Sequence, residues 1–224
     1  MKFLKSLLIA LVFFSIGCTV QVSAREKAKE YKILIDPGHG GYDGGAKSKS
    51  GVIEKDINLQ ISLKLKDELK KEGYTVYMTR DDDIALSNRK KEDLEIRCEK
   101  KKETECDVFI SIHQNMFSSG KSKGAQVWYS SNESSKRLAE SIQQSVKETL
   151  QPNNNRLAKD AKKSYKILRD NYNGASVIVE CGFLSNVDEE GKLQSDDYQN
   201  KIALEISKGV KRYFEEKPSE PILK

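Results

Sequence analysis

This 224-residue chain has no apolar run long enough for a comfortable membrane span. The longest, Leu7 to Ile16, is already broken by Ser15. Cysteine is scarce. Of four, Cys18 lies in that opening segment, leaving Cys98, Cys106 and Cys181. An odd count is not a fully paired disulfide framework, and without a C-x-x-C pair a cysteine metal site is not indicated. Cys98 and Cys106 could pair, but their spacing alone does not establish a bridge. Histidine is scarcer still, with two residues. Neither charge sign dominates: 39 basic side chains face 34 acidic ones, a formal +5. No run of arginines interleaved with aromatics occurs either, so nucleic acid is set aside as a partner.

What is present begins with an export signal. Lys2 and Lys5 precede the apolar segment, and Val22-Ser23-Ala24 places small residues where a signal peptidase needs them. Residues 1–24 therefore read as a leader that carries the chain across the cytoplasmic membrane. An uncleaved anchor is the competing reading. A third is lipidation at Cys18, since Ser15-Ile16-Gly17-Cys18 loosely resembles a lipobox. Without Lys2 and Lys5 the remainder holds 37 basic against 34 acidic residues, a nearly balanced surface. Residues 25–30 form a charged spacer, 31–217 one domain, and 218–224 a frayed tail.

Within the domain, strands and helices alternate. Tyr31 to Ile35 predicts a strand, halted by Asp36-Pro37-Gly38 and followed by a glycine-rich loop to Gly51. Ile57, Ile61, Leu65 and Leu69 recur on one face and predict a helix from Glu54 to Glu72. Further strands are expected over 74–79, 107–112, 125–129, 166–168 and 176–179. Further helices are expected over 88–103, 134–150 and 198–214. This alternation predicts an α/β domain with a mostly parallel sheet. In such sheets ligands bind beyond the carboxyl ends of the strands. Three strands run into polar residues there: Asp36 to His39, Ser111 to His113, and Glu180 to Gly182.

Both histidines, His39 and His113, thus follow strands. A structural hydrogen-bonding role is the bland reading of each. Two imidazoles at one sheet edge can instead share a metal, with a carboxylate completing a three-ligand site. Glu54, at the start of the first long helix, is the best carboxylate, because the glycine-rich loop lets that helix start swing back towards His39. An acid favouring a helix N-terminus needs no metal, so both readings of Glu54 stay open. Glu180 closes the apolar run Val177-Ile178-Val179, where an unpaired carboxylate is costly. It is either a structural acid bonded to nearby amides or a general base beside a metal.

Five segments then follow in order: Ile33 to Gly41, Glu54 to Leu59, Met78 to Arg80, Phe109 to Asn115, and Val179 to Asn186. Together they resemble the zinc-dependent N-acetylmuramoyl-L-alanine amidases, over about residues 31–215. The resemblance implies a single α/β domain with a central sheet between helices on both faces. It implies Zn2+ held by His39, Glu54 and His113, with Glu180 as the catalytic glutamate. The expected reaction is hydrolysis of the amide joining N-acetylmuramic acid to L-alanine in peptidoglycan. Two departures touch the pocket wall. Gln114 replaces a small residue after the second histidine, and Cys181 replaces the usual threonine or valine after the glutamate. A narrower likeness, carried by 88–94, Gly124-Ala125-Gln126 and 155–159, is to the germination-specific, spore-cortex branch. That branch helps form muramic-δ-lactam.

The remaining expectations are plainer. Arg80 and Arg89 read as salt-bridge formers, the charged face of the 88–103 helix as solvated surface, and Trp128 and Tyr129 as core. The stretch between His113 and Glu180 leaves no room for a built-in plug, although an accessory protein can still control activity. Two rivals stand beside the amidase: a zinc carboxypeptidase or peptide amidase using the same ligands, and a non-enzymatic peptidoglycan-binding module with a vestigial site.

Overall fold

A computed structural model describes residues 30–216. The leader over 1–24, nearly all of the spacer and the tail over 218–224 lie outside the described residues. Among the described residues six strands form one sheet: β1 (Lys32–Pro37), β2 (Thr75–Met78), β3 (Val108–Asn115), β4 (Gln126–Tyr129), β5 (Lys159–Asp160) and β6 (Ala175–Phe183). Their order is β2-β1-β3-β6-β4-β5, and every neighbouring pair is parallel except β4 with β6. Five helices accompany them: α1 (Glu54–Lys71), α2 (Lys90–Thr104), α3 (Glu133–Thr149), α4 (Val187–Leu193) and α5 (Asp196–Glu215).

The central strands are continuous apolar runs because both faces of the sheet are covered. Ile33, Ile35, Ile110, Ile112, Val177 and Val179 face a core shared with α1, α3 and α5. On α1, Ile57, Ile61, Leu65 and Leu69 are the buried apolar positions, the four that the spacing marked. Leu34, Phe109 and Ile178 face a smaller core closed by Cys98 of α2 and by Ile167 and Leu168. The expected α/β sandwich is the observed one.

Two local expectations are corrected, two short elements are added, and an open cysteine pairing is resolved. Residues 166–168 form a 3-10 turn, not a strand; three apolar residues can cover a core edge in either conformation. β5 and α4 were not foreseen, the first being two residues long and the second seven. The charged face of α2 is not all solvated. Arg97 and Lys101 are buried, and the Lys101 ammonium donates to the Ile167 carbonyl at 2.6 Å and pairs with Asp170 at 2.7 Å. Cys98, Cys106 and Cys181 are all buried free thiols, so the 98–106 bridge does not form.

Candidate metal centre and catalytic site

Register decides what the sheet presents at its carboxyl edge. In β1 and β3, Asp36 stands opposite Ser111; in β3 and β6, His113 stands opposite Glu180. Both His113 and Glu180 lie inside their strands, whereas the sequence placed them just past the strand ends. A register irregularity between His113 and Asn115 marks where pairing loosens beside the site. His39 follows β1 directly, in the left-handed region with φ 61°. That conformation is uncommon for a residue with a side chain and needs outside support.

Two arginines supply the support. The Arg80 guanidinium donates to the carbonyls of Pro37 at 3.0 Å, Gly38 at 2.9 Å and His39 at 2.8 Å, and also to those of Asp82 and Lys55. Arg97 reaches the same turn, donating to the Pro37 carbonyl at 2.9 Å and the His39 carbonyl at 2.8 Å. Its charge is met by Asp36 and Asp93, each at 2.6 Å. Arg80 therefore binds main-chain carbonyls in place of the expected salt bridge. Arg89 does pair with Glu92, on the surface. Asp36 is wholly buried, and Thr79 and Ser111 each donate to it at 2.6 Å. Burial alone would raise its pKa, but Arg97 and the two hydroxyls hold the carboxyl below its ordinary range.

The arginine-braced turn brings His39 to Glu54, the first residue of α1. His39 Nε2 lies 3.2 Å from Glu54 Oε2, and His113 Nδ1 lies 2.9 Å from Glu54 Oε1. One ligand atom from each of the three residues falls within 4.8 Å of the others. The Glu54 oxygens are also fixed by the amides of Ala46 at 2.8 Å and Gln114 at 3.2 Å. Burial works against its charge, but the two imidazoles outweigh that and hold the carboxyl well below the usual range. The surroundings are cut to this cluster. A Cβ on Gly38 would stand 2.2 Å from the His113 ring, and one on Gly45 2.6 Å from Glu54 Oε2. Two imidazoles and a carboxylate converging in so crowded a cradle fit a metal ion.

Asp43 was missed at the sequence level. Its Oδ2 lies 3.0 Å from His39 Nδ1. A carboxylate on one ring nitrogen fixes the tautomer and turns the other nitrogen towards the metal position. Asp43 is the one acidic residue in the loop from Gly40 to Gly51, four residues after His39, and that spacing was the available signal.

Glu180 is buried beside this cluster, and its Oε2 has no hydrogen-bond partner among the described residues. Burial pushes its pKa up to about 7, partly offset by the charges of His113 and His39. A carboxyl balanced near neutrality can both take and give a proton. The two departures from the resemblance are both buried. Gln114 donates to Asn58 Oδ1 at 3.2 Å, and the Cys181 thiol donates to the Val179 carbonyl of its own strand at 3.8 Å. Asn58 in turn donates to Glu54 Oε1 and the Gly38 carbonyl. Gln114 therefore braces the centre from behind, through Asn58 and through its own amide on Glu54 Oε1. Trp128 and Tyr129 pack against the two cores, as expected.

Comparison with known proteins matches residues 33–212 to the N-acetylmuramoyl-L-alanine amidase family. The chain is 38% identical over 198 residues to the germination-specific N-acetylmuramoyl-L-alanine amidase of Bacillus subtilis, covering 84% of this chain and 82% of that protein. Among solved structures, the CwlD amidase from Clostridioides difficile, in complex with the GerS lipoprotein, is 38% identical with a TM-score of 0.80, over 83% of this chain and 99% of that one. The N-acetylmuramoyl-L-alanine amidase from Clostridium difficile 630 is 32% identical with a TM-score of 0.77, over 84% and 99%. The family's sequence pattern spans nearly the whole described domain and its fold is the one observed, so this chain belongs to the N-acetylmuramoyl-L-alanine amidases.

Proposed function

We propose that this enzyme is a zinc amidase that frees peptides from the muramic acid of spore-cortex peptidoglycan. His39, Glu54 and His113 would hold the zinc, and Glu180 would move the proton. The observation that carries the reading is the buried Glu180 carboxyl, whose Oε2 has no partner among the described residues, one strand away from a two-histidine, one-glutamate cluster. When bound, zinc supplies Lewis acidity at the scissile carbonyl and eases deprotonation of water near neutral pH. The protein's own residues do the rest. Glu180 accepts a proton from the attacking water and delivers it to the departing L-alanine nitrogen. Asp43 keeps His39 in one tautomer, and Arg80 with Arg97 holds the turn from which His39 projects.

The germination role is supported by the 38% identity to the B. subtilis relative. Export to the wall, through the leader over 1–24, follows from a substrate outside the cytoplasmic membrane. The lipoprotein bound to the C. difficile relative supports an accessory protein for this chain too. The test is digestion of cortex peptidoglycan with and without a chelator, followed by mass analysis. The expected products are muramic acid freed of peptide and peptides with a new L-alanine amino terminus. Chelation should abolish both and zinc restore them. Release of single C-terminal amino acids instead would identify a carboxypeptidase, and no product at all a binding module.

A further inference from the structure

The β6 strand leads from Glu180 to a second feature that the reaction as described does not use. A cavity of about 570 Å³ opens beyond its carboxyl end, between the loop before β4, the loop after α3, and α4. Gln126 stands opposite Glu180, and Gly124, two residues before it, lies on the cavity wall. Two residues of extended chain span about 7 Å. The far wall is tied to the same place. The Arg156 guanidinium lies 4.7 Å over the Phe183 ring, and its Nε donates to the Lys123 carbonyl at 2.9 Å.

The cavity is basic. Lys121, Lys123, Arg156 and Lys192 line it. The side chains of Lys121, Lys123 and Lys192 have no ion pair among the described residues, although acidic residues are plentiful elsewhere. The one carboxylate in the lining, Glu189, is already committed. Its two oxygens accept from the amides of Gly124 at 2.8 Å and Phe183 at 2.9 Å. The floor is built, not a chance surface dent. Buried Asn154 donates to the Ala125 carbonyl at 2.9 Å and accepts from the Arg156 amide at 3.0 Å. A Cβ on Gly124 would stand 2.7 Å from Asn154 Oδ1, so the two loops meet as closely as backbone allows.

We infer that this cavity is a peptide subsite that takes free carboxylates of the stem peptide on the leaving side of the scissile amide. The inference rests on the amidase reading and adds what that reading lacks, a reason for the enzyme to prefer acidic peptides. Unpaired ammonium groups around a concave floor raise the local concentration of an anionic ligand and give its carboxylates charge-assisted partners. Peptide held there would leave its L-alanine end directed along β6 towards Glu180.

The experiment compares two synthetic muramoyl peptides, one with free side-chain and α-carboxylates, the other with the same groups as carboxamides. The full chain, loaded with zinc, is assayed on each for kcat and KM. The acid peptide should be preferred by about tenfold in kcat/KM, the worth of one charge-assisted contact, and mainly through KM. Raising the salt concentration should shrink the preference. In the double variant Lys121→Glu with Lys192→Glu, both exposed and unpaired, the preference should fall to about twofold or less, the scale of a screened surface charge. Circular dichroism of the variant confirms that it folds, and Lys121→Gln with Lys192→Gln serves in its place if it does not. Equal cleavage of the two peptides by the wild-type chain overturns the subsite and leaves the amidase standing. A preference untouched by either double variant also overturns it. Failure to cleave either peptide between muramic acid and L-alanine overturns the amidase reading and the subsite together.

Discussion

Two buried carboxylates sit near the carboxyl edge of one sheet and have opposite fates. Asp36, on β1, is met by a guanidinium and two hydroxyls, each at 2.6 Å, and its pKa is driven down. Glu180, on β6, has an oxygen with no partner among the described residues, and burial drives its pKa up to about 7. Asp36 belongs to a buttress: it anchors Arg97, which with Arg80 grips the turn holding His39 in a left-handed conformation. Glu180, on the proposed function, belongs to the reaction. Burial costs free energy in both places, and pairing offsets it only where the carboxylate has a fixed structural task. An acid left without a full set of partners is available to exchange protons.

The contrast breaks first at Arg97. Arg97→Met strands Asp36 as a buried, unpaired charge and removes two of the bonds to the His39 turn. Loss of one partner of a buried pair costs about 3–5 kcal/mol. Chemical denaturation should show a loss of that order, with the metal bound more weakly as well. Asp43→Asn acts on the centre instead. It keeps the shape but loses the carboxylate that sets the His39 tautomer, so metal affinity should fall by roughly 10- to 100-fold while stability hardly moves. Competition with a chelating dye checks this.

The smallest effect sharpens the comparison through pH. Because the Asp36 carboxyl is depressed in the folded chain, its contribution is fully present above its unfolded pKa of about 4 and is lost as pH falls through the folded value. The stability difference between wild type and Asp36→Asn should therefore be constant above about pH 5 and shrink below it. Urea denaturation at a series of pH values measures the difference directly.

Much of this was legible from sequence, and the reason is locality. The α1 face was readable because Ile57, Ile61, Leu65 and Leu69 share one helical stripe. His39, Glu54 and His113 stood out as candidates because each lies at or near the end of an element whose direction the alternating pattern sets, but a structural role for each stayed open until the family resemblance implied a ligand set. What escaped depends on partners far along the chain. Arg97 looked like surface because Asp36, 61 residues away, is invisible to a local pattern. Lys101 was hidden for the same reason, its partner being Asp170. By contrast, α4 carried a signal that went unread: Asn186 accepts from the amides of Asp188 and Glu189, an N-cap followed by an acidic first turn.

Glu180→Gln tests the division of labour between the two carboxylates most directly. The variant should be as stable as the wild type, bind metal with unchanged stoichiometry, and cleave muramoyl-L-alanine roughly 100- to 10,000-fold more slowly, the usual worth of a general base. Turnover within about twofold of wild type, with metal bound, lies far below that range and would show that Glu180 is a second structural acid and that the proton moves through another group.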